Sequence, residues 1–367
     1  IFYTWGLYLK LLIFPHPLTF DYYPKHIPVI GIGFRSVVSL VIYLFLAIYA
    51  IAGFKKKQVY SYGILFYLIS FSIFSNLLFP IGTFMNERFM YIPSLGFLLL
   101  LSWLMAVKIP EWLLKKNYSH RAVFMVFLSI FSLILLLYSV KTISRNRAWK
   151  DDFTLFTTDV KTSSNSAKSN TSAGGKLIEK AKTTENSNQS QAYLRKAIQY
   201  LKKALEIYPQ YNDAWLLLGN AYFEMEKDPR KAFACYLNIL KRSPGNPHAW
   251  NNIQIVFKDY NNRQFKLQAY QELYKIKPDH PAVNYNLGVL YARYQKSFEK
   301  GIPFLEKAIE LDPDNAVYYK DLVVAYALTG NYENSVKVFE KAITIQPDDA
   351  QIYINAGISY QHLGQEE

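Results

Sequence analysis

The sequence predicts an all-α protein: a polytopic membrane helix bundle over residues 1–150, followed by an α-solenoid of helical hairpins. Three observations predict it. Hydrophobic residues make up 51% of the 367 positions and charged residues only 19%, a mixture that fits neither a wholly soluble nor a wholly membrane-embedded chain. Residues 1–150 hold 15 Lys and Arg against three acids, Asp21, Glu87 and Glu111, whereas the remainder holds 26 against 25. The C-terminal half carries prolines at near-constant spacing, Pro209, Pro244, Pro278, Pro313 and Pro347, and a period of about 34 residues marks stacked repeats. A nucleic-acid-binding protein carries its basic residues on a soluble domain. Here the excess sits in the apolar half, where it reads as a topology signal and as contacts to phospholipid headgroups, with no nucleic-acid partner.

Taken in chain order, Ile1–Phe14 is apolar and aromatic but short, and Pro15 and Pro17 end it. Its length suits a helix lying flat in the interface or the tail of a span. Four runs then approach the ~20 residues a spanning helix needs: 36–54, 59–79, 89–107 and 122–140. Lys55, Lys56 and Lys57 follow the first run, and Lys108, Lys115, Lys116 and Arg121 separate the third from the fourth. The positive-inside rule puts these two loops in the cytoplasm. The segment 14–33, the loop Phe79–Arg88 and everything after Val140 then face outward, to a periplasm or a lumen. The expectation is an integral membrane protein with non-cytoplasmic repeats.

Residues 151–211 read as a Ser-, Asn-, Thr- and Lys-rich linker and a degenerate hairpin, Ala167 through Ile207, with an insertion near 183–191. Beyond it the pattern Trp215-x-x-Leu218-Gly219-x-x-Tyr222 returns as Asn284-x-x-Leu287-Gly288-x-x-Tyr291 and Tyr353-x-x-Ala356-Gly357-x-x-Tyr360. With its closing proline this is the tetratricopeptide-repeat (TPR) signature. Gly at the eighth position lets the two helices approach, and Ala204, Ala308 and Ala342, five residues before their prolines, let hairpins nest. Proline stops each second helix because it cannot donate an intrahelical hydrogen bond. Repeats fall at 212–245, 247–279, 281–314 and 316–348, with a partial repeat at 350–367. Asn252, Asn286, Asp321 and Asn355 occupy one repeat position. Side-chain amides in phase along a groove suit the backbone of an extended peptide, a protein or peptide acceptor, although Asn at this position is also ordinary for such repeats.

Cys235 is the only cysteine, so neither an internal disulfide nor a Cys-rich metal site is available. His16, His26 and His120 lack ligand spacing, no Gly-rich phosphate loop is present, and no metal site is assigned.

The stretch Leu78-Phe79-Pro80-Ile81-Gly82-Thr83 … Glu87-Arg88-Phe89-Met90-Tyr91-Ile92-Pro93-Ser94-Leu95-Gly96-Phe97 resembles a segment of the transmembrane-and-TPR O-mannosyltransferases and their bacterial relatives, within the GT-C class of glycosyltransferases. Pro15-His16-Pro17-Leu18 … Asp21-Tyr22 and the junction Arg145-Asn146-x-x-Trp149 … Leu155-Phe156 resemble the same family. The resemblance covers essentially the whole chain, which reads as a C-terminal fragment of a bacterial-type member. It implies transfer of a sugar, mannose, from a polyprenyl-phosphate donor to Ser or Thr of protein acceptors outside the cytoplasm. Departure of a phosphate wants a nearby cation; Arg88 is the candidate, since an Arg fork matches phosphate oxygens. Glu87, Tyr91, Pro93, Ser94 and Gly96 are the supporting motif, and Arg145, Asn146 and Trp149 the junction motif. Glu87 and Arg145 have plainer readings as an ion-pairing group that orients the loop and as an interfacial anchor. Such enzymes carry their catalytic acid in the first extracytoplasmic loop near the N-terminus, which has no counterpart here. The catalytic residue is therefore unassigned, and the need for a divalent metal stays open. The alternative is a non-enzymatic, membrane-anchored TPR scaffold for protein–protein interaction.

Overall fold

The computed structural model describes residues 1–28, 31, 33–83, 85–226, 229–348 and 350–364. Phe84 of the family-like stretch, residues 29, 30 and 32 of the outward segment, residues 227 and 228 of the repeat 212–245, residue 349, and residues 365–367 of the partial repeat lie outside the described residues. Every regular element among those described is helical. The chain forms two units, residues 1–225 and 226–367.

In the first unit α1 is Phe2–Ile13, α2 Phe34–Phe54 and α3 Val59–Ser72. A 3₁₀ turn, Glu87–Met90, leads into α4, Pro93–Trp103, which continues through a π turn, Leu104–Lys108, into α5, Ile109–Lys115. Helix α6, His120–Ala148, is followed by α7 (Asp152–Thr162), α8 (Ala167–Lys182), α9 (Ser187–Ile207) and α10 (Asn212–Glu226). Phe34–Phe54, Pro93–Lys115 and His120–Ala148 are long and apolar enough to cross a membrane. At 29 residues α6 spans about 43 Å, longer than the ~30 Å hydrocarbon core, so its end carries Lys141, Arg145 and Arg147 past the apolar run.

The apolar run 59–79 is not helical throughout: α3 closes at Ser72 after 14 residues, about 21 Å. The serines explain it. Ser72 and Ser75 donate to the carbonyls of Ile69 and Ser72, competing with the helix ladder. Asn76 sits in the left-handed region at φ 55, and its amide braces the loop by donating to Thr83 O and accepting from Ile81 N. Backbone freed at membrane depth needs partners inside the protein. Trp5 of α1 supplies one, its Nε1 donating to Ser75 O at 3.0 Å.

Helix α1 packs against α2 and the 3₁₀ turn. Trp5 and Tyr8 are buried with Tyr43, Tyr67, Phe71, Met85 and Met90 in one aromatic core. Helices α3 and α4 meet at Gly63 and Gly96. A Cβ built on Gly96 would overlap Gly63 O and lie 2.6 Å from Tyr67 N, so no larger residue fits. Helices α8 and α9 form a hairpin with Gly174 against Leu201.

The second unit runs α11 (Pro229–Arg242), α12 (Pro247–Asp259), α13 (Arg263–Ile276), α14 (Pro281–Val289, continued by a π turn at Leu290–Tyr294), α15 (Phe298–Leu311), α16 (Ala316–Leu328), α17 (Tyr332–Ile345) and α18 (Ala350–His362). Gly288 and Gly301 make the close approach of α14 to α15, each Cβ position falling within about 3 Å of the facing helix. In α16 the eighth position is Val323, fully buried, and around Gly357 there is open space, so the glycine rule holds hairpin by hairpin rather than throughout.

Four repeats also lock their first helix to the proline before it. Trp250 Nε1 donates to Pro244 O at 2.8 Å, Asn284 Nδ2 to Pro278 O at 2.6 Å and Tyr319 Oη to Pro313 O at 2.8 Å. In the first unit Trp215 Nε1 does the same to Pro209 O at 2.8 Å. The proline carbonyl sits in the turn two residues past the helix end, outside the intrahelical ladder, and any side chain with a donor at the right reach satisfies it. This is why Trp, Asn and Tyr interchange at the fourth position.

Candidate functional site

The family-like residues converge on residues 17–24, an irregular segment held between the 3₁₀ turn and the α6–α8 junction. The segment has no ladder partners, so its backbone groups are met by side chains and by the start of α8, where Ala167 N and Lys168 N donate to Pro24 O and Tyr23 O at 3.4 and 3.2 Å. Glu87 accepts from Thr19 N and from Tyr22 Oη, both at 2.7 Å. Asp159 of α7, almost fully buried, accepts from Phe20 N at 2.7 Å. Arg145, near the end of α6, donates its fork to the same carboxylate at 2.5 and 2.7 Å, with its guanidinium 5.6 Å from the Trp149 ring centre. Asp21 accepts from Tyr23 N at 2.7 Å and from Lys168 Nζ at 2.9 Å. Thr19 and Ser163 share a hydroxyl contact of 2.8 Å, and Ser166 donates to Tyr23 O. On the other side Asn86 N donates to Tyr8 Oη at 2.9 Å, tying the turn to α1.

Burial pushes the Glu87 carboxyl above its ordinary value; the hydrogen bonds from Tyr22 and Thr19 and the Arg145 charge pull the other way, and Asp159 adds to the rise. Glu87 and Arg145 thus belong to one network, which sequence separation did not suggest. Their neighbour Arg88 faces out: its side chain is exposed, and among the described residues it has no ion-pair partner. Tyr91 is 82% exposed, Ser94 caps the turn by donating to Tyr91 O at 2.7 Å, and Pro93 is buried at the start of α4. Asn146 uses its carbonyl to accept from Trp149 N, closing α6.

In the second unit Asn252, Asn286, Asp321 and Asn355 are half-buried at the sixth residue of α12, α14, α16 and α18. Asn286 Nδ2 bonds back to Ala282 O at 2.6 Å, and Asn355 Oδ1 accepts from Gln351 at 2.9 Å. Asp321 accepts from Tyr285 Oη at 2.7 Å and from Arg293, both on the preceding repeat.

Asp159, Thr19, Ser163 and Lys168 escaped sequence reasoning. The one signal available was an acid, Asp159, between the buried Leu155 and Val160 on a short amphipathic helix. Among the described residues no group of His, Cys, Asp and Glu is placed to hold a metal ion.

Membrane-length apolar helices and a helical-hairpin array define a membrane protein with TPR repeats. Tetratricopeptide-repeat profiles match residues 194–252 and 281–315, and a TPR-repeat profile matches 324–364. The chain is similar over most of its length to protein O-mannosyl-transferases: 24% identical over 339 residues to TMTC3 of Mus musculus, covering 86% of this chain and 34% of that protein. To TMTC1 of Homo sapiens it is 28% identical over 217 residues, 57% of this chain and 22% of that protein. To Tmtc3 of Drosophila melanogaster it is 25% identical over 331 residues, covering 86% and 31%. The chain therefore spans between about a fifth and a third of the length of these relatives. Among solved structures, YrrB, described as a TPR protein with an unusual peptide-binding site, is 21% identical with a TM-score of 0.36, covering 54% of this chain and 96% of that one.

Proposed function

We propose that this chain is the C-terminal part of a membrane GT-C glycosyltransferase that moves mannose from a polyprenyl-phosphate donor to Ser or Thr of protein acceptors outside the cytoplasm, with the repeats holding the acceptor or a partner. One observation carries the reading: a single alignment with protein O-mannosyl-transferases runs across 86% of the chain. The clamp around residues 17–24 supports it, because residues from each of the three family-like stretches meet there. Glu87, held by Thr19 and Tyr22, anchors the 3₁₀ turn and leaves its neighbour Arg88 exposed to meet the donor phosphate. In the repeats, Asn252, Asn286, Asp321 and Asn355 line the face for an extended peptide.

The membrane-side acids are committed elsewhere: Glu87 to Tyr22, Asp159 to Arg145 and Asp21 to Lys168. None is placed to act as a general base. That commitment is also what favours the second reading, a membrane-anchored scaffold. The test is transfer by the longer protein, from polyprenyl-phosphate-mannose to an acceptor protein. The glycosyltransferase reading expects sugar on Ser or Thr and a large drop with Arg88→Ala; no transfer under any donor leaves the scaffold, and unchanged transfer by Arg88→Ala removes Arg88 from the site.

A further inference from the structure

Helix α6 stands away from α4, and the end of α1 closes the gap on one side. The resulting cleft has a volume of about 550 Å³ and is lined by apolar side chains, among them Leu12 of α1, Leu98 and Leu101 of α4, and Phe131 and Leu135 of α6. It runs along α6 from Phe127 to Tyr138, about 17 Å at the helical rise. One leaflet of hydrocarbon is about 15 Å deep, half of the ~30 Å core. Tyr138 closes the end nearest the α6–α7 junction, donating to Leu12 O at 2.9 Å and Ile13 O at 3.2 Å. One turn further, Lys141 Nζ lies 3.0 Å from His16 Nδ1. Among the described residues no carboxylate pairs with either group.

The geometry points to an anionic phospholipid of the repeat-side leaflet as the occupant: one acyl chain along α6 in the cleft, its phosphate against Lys141 and His16. Charge complementarity and length carry this. An apolar helix in the cleft leaves the Lys141 ammonium without a counter-charge, whereas a lipid phosphate supplies it at headgroup depth. A polyprenyl chain is several times longer than one leaflet and overruns the Phe127 end. The inference needs only that α6 lies in a bilayer, and it stands apart from the sugar-transfer reading.

The test is native mass spectrometry of the whole protein in detergent, with phosphatidylglycerol and phosphatidylcholine of matched chains added in equal amount. Phosphatidylglycerol should be retained about fivefold over phosphatidylcholine, the factor that about 1 kcal/mol per surface cation gives. Lys141→Gln with His16→Gln should bring that ratio to about one. Leu101→Trp with Leu135→Trp should abolish retention of both lipids, while Leu136→Trp, on the exposed face of α6 away from the cleft, should leave it intact and so separate a filled cleft from a misfolded bundle. Equal retention by the unsubstituted protein, an unchanged ratio in the Lys141/His16 variant, or unchanged retention in the tryptophan pair overturns the inference. Displacement of phosphatidylglycerol by equimolar polyprenyl phosphate overturns it as well and gives the cleft to that lipid. Sugar transfer is measured separately, so its failure leaves these outcomes untouched.

Discussion

Replacing Asp159 by Ala removes the acceptor on which Arg145 and the backbone of Phe20 both depend. The Asp159 side chain is 1% exposed and that of Arg145 15%, so water cannot replace the lost partner. Breaking a buried pair by deleting one member costs about 3–5 kcal/mol, because the surviving charge is stranded. That is a large fraction of the ~5–15 kcal/mol that holds a typical domain together. The double variant Arg145→Met, Asp159→Leu removes both charges and should recover most of the loss. Recovery stays incomplete, because the Phe20 N–H, which donates to Asp159 at 2.7 Å, still lacks an acceptor; one unsatisfied buried donor costs about 1–3 kcal/mol. Thermal unfolding of the detergent-purified protein, with limited proteolysis at residues 17–24, reads all three species. A cost below ~1 kcal/mol for Asp159→Ala, the range of exposed pairs, or a double variant no better than the single, refutes the claim that this pair holds the segment.

Other substitutions test the rest of the framework. Glu87→Gln keeps an acceptor for Thr19 and Tyr22 and should be mild, whereas Glu87→Ala strands both donors and should cost at least about 2 kcal/mol. Because burial raises the Glu87 carboxyl, the folded state holds its proton more tightly than the unfolded state. Its contribution to stability is therefore present below the ordinary carboxylate value and falls as pH rises from there to the folded-state value, and a melting-temperature series against pH should show Glu87→Gln flattening that fall. Gly96→Val pushes a side chain into Gly63 O and Tyr67 N and should lower the melting temperature by the equivalent of about 1–3 kcal/mol or split α3 from α4. Trp250→Phe keeps a six-membered ring beside His280 but loses the bond to Pro244 O and the rest of the indole, at least about 1 kcal/mol by chemical denaturation, whereas Asn284→Leu loses its bonds to both Pro278 O and His280 O and should cost about 1–3 kcal/mol.

Local patterns were readable before any coordinates because they repeat. The proline period, the Leu-Gly-x-x-Tyr spacing and the asymmetry of basic residues each state a physical constraint several times over, and the profile matches at 194–252, 281–315 and 324–364 fall on that pattern. The fourth-position donor was half-legible: Trp215, Trp250 and Tyr319 read as bulk, and only Asn284 at the same place, reaching a proline carbonyl, shows that the hydrogen bond is the common requirement. The end of α3 was hidden because hydropathy counts Ser72, Ser75 and Asn76 as small losses, while their side chains act on the backbone itself.

The candidate site lay further from view. Glu87, Arg88 and Arg145 are visible as charges near apolar runs, but partnership is a property of space. Thr19 meets Glu87 across 68 positions and Phe20 meets Asp159 across 139. Composition and period alone determined that this chain combines apolar spans with helical hairpins, since burial of a nonpolar face and termination of a helix are local events. Which acids are spent on structure, which arginine is left facing outward, and where a cleft opens between α4 and α6 were decided only in the folded chain, because the cost of an unpaired buried group is settled by whatever the fold brings within hydrogen-bond reach.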